Sequence, residues 1–281
     1  KKLKRGRPRC RRDKSLSAFM SSQPDKAEQI KGIQRDLAAL GVGPGSCLLV
    51  HSSLSSLGRI DGGAETVISA LQTAIGSEGT LLMPGLSYLH VDMKGPKFDY
   101  HTTPSCVGKI PETFRLTEGV VRSFHPSHSV CAWGRLAEEL TNDHQLDETP
   151  VGVHSPFHRL KDVESSKLLF LGCPSGSRTN TSMHGVEEVV GSPFLFPPVT
   201  WSGVNRDGST FSGPYRSHNF EEWEQRYERL EEHMPPDAIK RGKVLASDAV
   251  VFDVPTMWQV AEKVLRADPY ALVAPKPHGA L

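Results

Sequence analysis

Cysteine is scarce in this chain and poorly arranged for chemistry. Its 281 residues hold five cysteines, Cys10, Cys47, Cys106, Cys131 and Cys173. The odd count and the lack of any Cys-x-x-Cys pair argue against a disulfide framework or a thiolate zinc site, and fit free thiols in a reducing compartment. Long apolar runs are missing too. No stretch approaches the roughly 18 residues of a membrane span, and the N-terminus has no apolar secretory segment, so a cytoplasmic protein is expected. Neither Gly-x-x-x-x-Gly-Lys-Ser/Thr nor Gly-x-Gly-x-x-Gly occurs, which disfavours a nucleotide hydrolase or a Rossmann dehydrogenase. Without a Gly-x-Ser-x-Gly elbow, a serine hydrolase is only a runner-up. No His-Glu-x-x-His is present, and no metal is expected.

What is present is ordinary globular material, 37% hydrophobic and 23% charged, long enough to bury a sizeable core. The net charge of +1 conceals an asymmetry. Residues 1–14 carry nine Lys or Arg and one Asp, a net of +8, so the rest of the chain carries −7. An acidic body would concentrate a polycationic small molecule near a cleft. Within the tail, Arg5-Gly6-Arg7-Pro8-Arg9 looks like the core of an AT-hook, which lays arginines into narrow minor grooves. A single copy at a chain end reads more simply as a solvated basic tail, and nucleic acid is not the expected partner.

Hydrophobic spacing gives the organisation. Residues 1–24 read as a disordered basic tail, and 25–275 as one domain. Ile30, Ile33, Leu37 and Leu40 form one helical stripe over Glu28–Leu40, closed by Gly41. Cys47–Val50 is a short buried strand, the polar loop His51–Gly58 follows, and a helix runs from Ala64 to Ile75. Thr80–Met83 is the next strand. The rhythm recurs in a helix over Lys109–Leu116, a strand over Val130–Trp133, a helical turn over Ala137–Leu140 and a strand over Lys167–Leu171. Phe220–His233 reads as a charged helix. This alternation is that of an α/β domain, in which ligands bind beyond the carboxyl ends of strands.

Three segments carry candidate chemistry. Ser52–Gly58 could cradle a phosphate with backbone N–H groups and hydroxyls, although an ordinary strand-to-helix turn reads equally well. Arg122-Ser123-Phe124-His125-Pro126-Ser127-His128-Ser129 combines a phosphate-suited guanidinium with two histidines. The third, Arg178–Glu188, places His184 one helical turn before Glu187 and Glu188. That spacing suits a general base and its orienting carboxylate. Taken alone, it is also an ordinary helix start with a surface histidine.

The segments in series resemble the aminoglycoside 3-N-acetyltransferase family. The matching pieces are His51-Ser52-Ser53-Leu54 with Leu57-Gly58 and Gly62-Gly63; Gly79-Thr80-Leu81 with Met83-Pro84; and Phe98-Asp99 with Thr102–Ser105 and Gly108. Arg122-Ser123, His125-Pro126, His128-Ser129, Gly134, Ser155-Pro156 and Leu171-Gly172 follow, and Thr181-x-x-His184-x-x-Glu187 completes the order. The resemblance covers roughly residues 30–270. It implies a single three-layer α/β/α domain of the antibiotic N-acetyltransferase type and acetyl transfer from acetyl-CoA to an amine in a ternary complex. The expected acceptor is the 3-amino group of a 2-deoxystreptamine aminoglycoside; another small amine or biosynthetic intermediate is the alternative. His184 becomes the general base and Glu187 its partner. Coenzyme A is expected along Ser52, Ser53, Leu54, Ser55, Leu57 and Gly58, with Ser105 and Val107, and with Arg122, Ser123 and His125 toward its phosphates. For the acceptor the candidates are Ser87, Tyr88, Asp92, Glu188 and Glu221. The chain departs from the family here: Tyr215–Phe220 stands where clinical-type members tend to be Asp-rich. A monomer or homodimer is expected.

Overall fold

In the computed structural model, residues 25–91, 94–174 and 179–276 are described. Among them, seven helices alternate with twelve strands. The helices are α1 (Lys26–Ala39), α2 (Gly63–Ile75), α3 (Lys109–Arg115), α4 (Ala137–Thr141), α5 (Pro156–Arg159), α6 (Ser182–Val190) and α7 (Val254–Ala267). The strands are β1 (Cys47–Ser52), β2 (Thr80–Pro84), β3 (Lys97–Asp99), β4 (Val121–Arg122), β5 (Val130–Gly134), β6 (Ser166–Leu171), β7 (Val199–Val204), β8 (Thr210–Tyr215), β9 (Trp223–Gln225), β10 (Ile239–Val244), β11 (Ser247–Asp253) and β12 (Val273–Pro275).

The main sheet has the order β10-β11-β6-β1-β2-β5-β4. Its centre is parallel, β1 lying between β6 and β2, and both flanks are antiparallel. Successive residues of a strand point to opposite faces, and the two cores follow that alternation. Leu48, Val50, Leu81, Leu169 and Leu171 pack on one face with α1, α2 and α3. Cys47, Leu49, Leu82, Leu168 and Phe170 pack on the other with residues from α4 to α7. Both faces are covered, which explains why these strands read as continuous apolar runs. The three layers expected from the sequence are present. A smaller sheet, β3-β7-β8, carries an aromatic cluster of Phe98, Tyr100, Phe124, Trp201 and Tyr215.

Most expected elements stand within a residue or two of their reading. The exception is Phe220–His233, which is not an α-helix: it forms β9 and a short 3₁₀ segment, Tyr227–His233. Trp223 is drawn into pairing with Pro275, and Tyr227 and Leu230 turn inward together. Tertiary contacts override the helical propensity of the charged residues.

Candidate active site

Helix α6 is stopped at its C-terminal end and packed from behind. Met183 and Val186 bury on its inner side, and Gly191, in the left-handed region at φ 76°, ends it. Gly185 lets α7 approach: a Cβ there would lie 2.6 Å from the Trp258 ring and 2.8 Å from Val151. The close packing fixes where His184 and Glu187 sit, one turn apart, at 5% and 3% exposure.

His184 Nδ1 is 2.9 Å from Glu187 Oε2. Tyr227, 2% exposed, donates its hydroxyl to Glu187 at 3.0 and 3.1 Å, and its oxygen is 3.0 Å from the same Nδ1. An ionised carboxylate only accepts, and the phenol has one proton, already directed at it. Whenever the carboxylate is the acceptor and the imidazole is neutral, the ring proton sits on Nδ1 and the lone pair on Nε2. Glu187 fixes the tautomer, as the i,i+3 spacing implied; Tyr227 is a third member that the sequence did not reveal.

A row of imidazoles, buried except for the partly buried His218, leads away from this pair. The ring centroids of His184 and His218 are 3.8 Å apart, those of His218 and His128 4.9 Å, and those of His125 and His144 5.0 Å. Burial and neighbouring imidazoles hold His218 and His128 well below the usual histidine range. Burial takes His144 down to about 3. These rings are neutral, and their hydrogen bonds are local: Ser127 Oγ lies 2.8 Å from His128 Nδ1, and Ser123 Oγ 2.8 Å from His144 Nδ1. Glu188, beside Glu187, faces His218 Nε2 at 3.4 Å. That is close enough for attraction but too poorly aligned for a hydrogen bond, and Nε2 has no such partner among the described residues. Burial pushes Glu188 up to about 7.

A groove of about 640 Å³ is lined by Ser52, Ser53, Leu54, Ser55, Gly58, Arg59, Ile60, Gly63, Gly108 and Lys109. Gly58 turns the chain there with φ 82°, a conformation glycine adopts without strain. Ser52 also lines an inner cavity of about 270 Å³ with His51, Pro84, Tyr88, Val107, Cys173 and Thr181. This cavity lies beyond the carboxyl ends of β6, β1 and β2, where ligands of α/β sheets collect. Thr181 immediately precedes α6, and Tyr88 stacks on His128 at 5.9 Å. Groove and cavity thus share Ser52, and Tyr88 and Thr181 are the cavity-lining residues next to the imidazole row and to α6.

Of the residues expected along coenzyme A, Ser52, Ser53, Leu54, Ser55 and Gly58 line the groove and Val107 the inner cavity. Leu57 instead points into the core beneath, and Ser105 is buried, its amide donating to Glu112. Arg122 is buried and already committed. Its guanidinium donates to Ser129 Oγ, to the carbonyls of Tyr100 and Thr103, and to that of Gly85. Such bonds tie loops together and leave little for a phosphate. Ser123 and His125 are fully buried behind it. The cations that do line the groove are Arg59 and Lys109, which the sequence reading passed over although each follows a glycine of a quoted motif. On the acceptor side, Ser87 is buried and donates to the Pro126 carbonyl at 2.5 Å, Tyr88 and Glu221 are exposed, and Glu188 is partly buried, its side chain 9% exposed. Asp92 lies outside the described residues. Among the described residues, no group of three or more His, Cys, Asp or Glu is arranged to hold a metal ion, and no helix is long and apolar enough to cross a membrane.

A doubly covered α/β sheet with a buried imidazole–carboxylate pair beyond its strand ends is an arrangement suited to holding a ligand and moving a proton. Comparison with known proteins narrows the class. The family model described as aminoglycoside 3-N-acetyltransferase matches residues 49–266, and the chain belongs to that family. It is 37% identical over 169 residues to the SPbeta prophage-derived aminoglycoside N(3')-acetyltransferase-like protein YokD of Bacillus subtilis (strain 168), covering 53% of this chain and 61% of that protein. Alignments with the curated relatives span about three fifths of those proteins' length. Among solved structures, AAC-IIIb in binary complex with CoASH superposes with a TM-score of 0.73 at 26% identity, over 88% of this chain and 98% of that one. A mutant of the aminoglycoside acetyltransferase AAC(3)-IVa in complex with a gentamicin gives a TM-score of 0.73 at 28% identity, over 90% and 93%.

Proposed function

We propose that this chain transfers the acetyl group of acetyl-CoA to the 3-amino group of a 2-deoxystreptamine aminoglycoside. The observation that carries the reading is the His184–Glu187–Tyr227 arrangement on α6, whose preceding residue Thr181 lines the cavity. An amine cannot keep all its protons while it forms an amide. Nε2 of His184, left basic by the bonds to Nδ1, removes the proton as nitrogen attacks the thioester carbonyl. Glu187 faces the imidazolium that forms, and the carbon–sulfur bond breaks as coenzyme A leaves and takes the proton back. No acyl-enzyme is needed, because donor and acceptor are held together.

Arg59 and Lys109 take the phosphates of coenzyme A, with pantetheine passing Ser52 into the inner cavity. The two related structures support acetyl-CoA as donor and an aminoglycoside as acceptor, one through its CoASH and the other through its gentamicin. The enzyme acts in the cytoplasm, where acetyl-CoA is made available. One observation favours the alternative of another small amine: His128, His218 and Tyr88 surround the base, where a polycationic acceptor would be served better by ionised carboxylates. Acetyl-CoA turnover against a panel of aminoglycosides and simple amines, followed by thiol release, decides. Turnover confined to non-aminoglycoside amines would overturn the first reading.

A further inference from the structure

An amine that arrives as an ammonium must lose two protons to become an amide. One ends on the sulfur of departing coenzyme A, carried there by His184; the other has to leave the site. His184 holds one proton at a time on Nε2, so the first must be removed before it acts. The doublet Glu187-Glu188 supplies two carboxylates, and each faces a different imidazole: Glu187 faces His184 at 2.9 Å and Glu188 faces His218 at 3.4 Å. The two rings lie 3.8 Å apart, tilted by 30°, so a nitrogen within reach of one is close to the other.

We propose that Glu188 and His218 are a second proton-accepting pair, which takes the first proton from the substrate ammonium before His184 takes the second. The proposal rests on the acetyl-transfer reading above. With Nε2 of His218 turned to Glu188, Nδ1 is the nitrogen that meets the ammonium. The substrate proton passes to Nδ1 of His218; the imidazolium so formed draws Glu188 Oε1 in from 3.4 Å to a hydrogen bond and gives it the Nε2 proton, which leaves to solvent after turnover. Two groups set the pair's balance. Glu188 is faced by Asp147 and Thr149, by the Val151 amide at 2.9 Å and by Glu187. His218 is faced by His184 on α6 and by His125 and His128 from the loop before β5. Burial places the Glu188 carboxyl at about 7, suited to take and release a proton near neutrality, while His218, held low, passes the proton on.

The test compares kcat of wild type, Glu188→Gln, His218→Gln and His184→Ala from about pH 7 to about pH 9, across the amine's own titration. Calorimetry with CoASH shows that each variant is folded. Both pair variants should lose about tenfold at neutral pH and recover toward wild type once the amine is already neutral, whereas His184→Ala stays defective throughout. A deficit that does not change with pH, or no deficit at neutrality, overturns the pair. A second measurement does not depend on turnover. Potentiometric titration of wild type should show a group near neutrality that Glu188→Gln lacks, and identical curves would overturn the proposal even if no aminoglycoside is acetylated.

Discussion

The hydroxyl of Tyr227 donates to both oxygens of Glu187, at 3.0 and 3.1 Å, from forty residues further along the chain. Removing it leaves the carboxylate buried with one donor fewer. Tyr227→Phe should cost about 1–2 kcal/mol of stability, measured by denaturant unfolding. It should also lower kcat, but less than Glu187→Gln, which takes away the acceptor that fixes the His184 tautomer.

His184→Ala should lose most of kcat while CoASH affinity, measured by calorimetry, stays within about twofold, since general-base effects are typically about 10²–10⁴ in rate. Full activity in that variant would remove His184 from the mechanism.

Arg59 and Arg122 make opposite predictions. Arg59→Ala and Lys109→Ala should weaken CoASH binding in a salt-dependent manner and leave the melting temperature almost unchanged. Arg122→Ala should cost about 3 kcal/mol or more, because it strips donors from two buried backbone carbonyls, a part-buried third and Ser129. Thermal melts beside calorimetry separate the two kinds of effect.

Gly185→Ala places a methyl against Trp258 and Val151. Overpacking of this kind costs about 1–3 kcal/mol. The activity lost should exceed what the unfolded fraction explains, because α6 has to shift and takes His184 with it.

Acid should destabilise the fold below the ordinary histidine range. Burial lowers His51 and His144 to about 3, and His125, His128 and His218 well below normal. The unfolded chain binds these protons first, so stability falls as pH drops from about 6.5 toward about 3. Glu188, raised to about 7, works the other way between its unfolded value and 7, but it is one group against five. Urea midpoints measured from neutral to mildly acidic pH should therefore decline, and His144→Gln should flatten the slope.

The layered fold was legible because both faces of the central strands are covered, so β1 and β6 appear as apolar runs between amphipathic helices. The dyad was legible because its members share one helix turn. Tyr227 and His218 were not, since only the tertiary fold brings them to α6. Phe220–His233 misled because its charges favour helix in isolation while Trp223 and Tyr227 are recruited elsewhere. Arg122 misled in another way: a guanidinium among hydroxyls suits phosphate and backbone carbonyls equally well, and only geometry shows which it has found.

Strand β6, which precedes α6, has β1 on one side and β11 on the other. The first neighbour is made early and the second late. Ser56 Oγ meets Ser247 Oγ at 2.9 Å across 191 residues, and α7, which packs on α6, follows β11 in the chain. Loop closure over such separations is slow. During synthesis, the groove between Ser52 and Lys109 can begin to form while α6 still lacks its cover. Catalytic competence should therefore appear late and all at once, as β11 and α7 dock, and a nascent chain halted before β11 should give no partial activity.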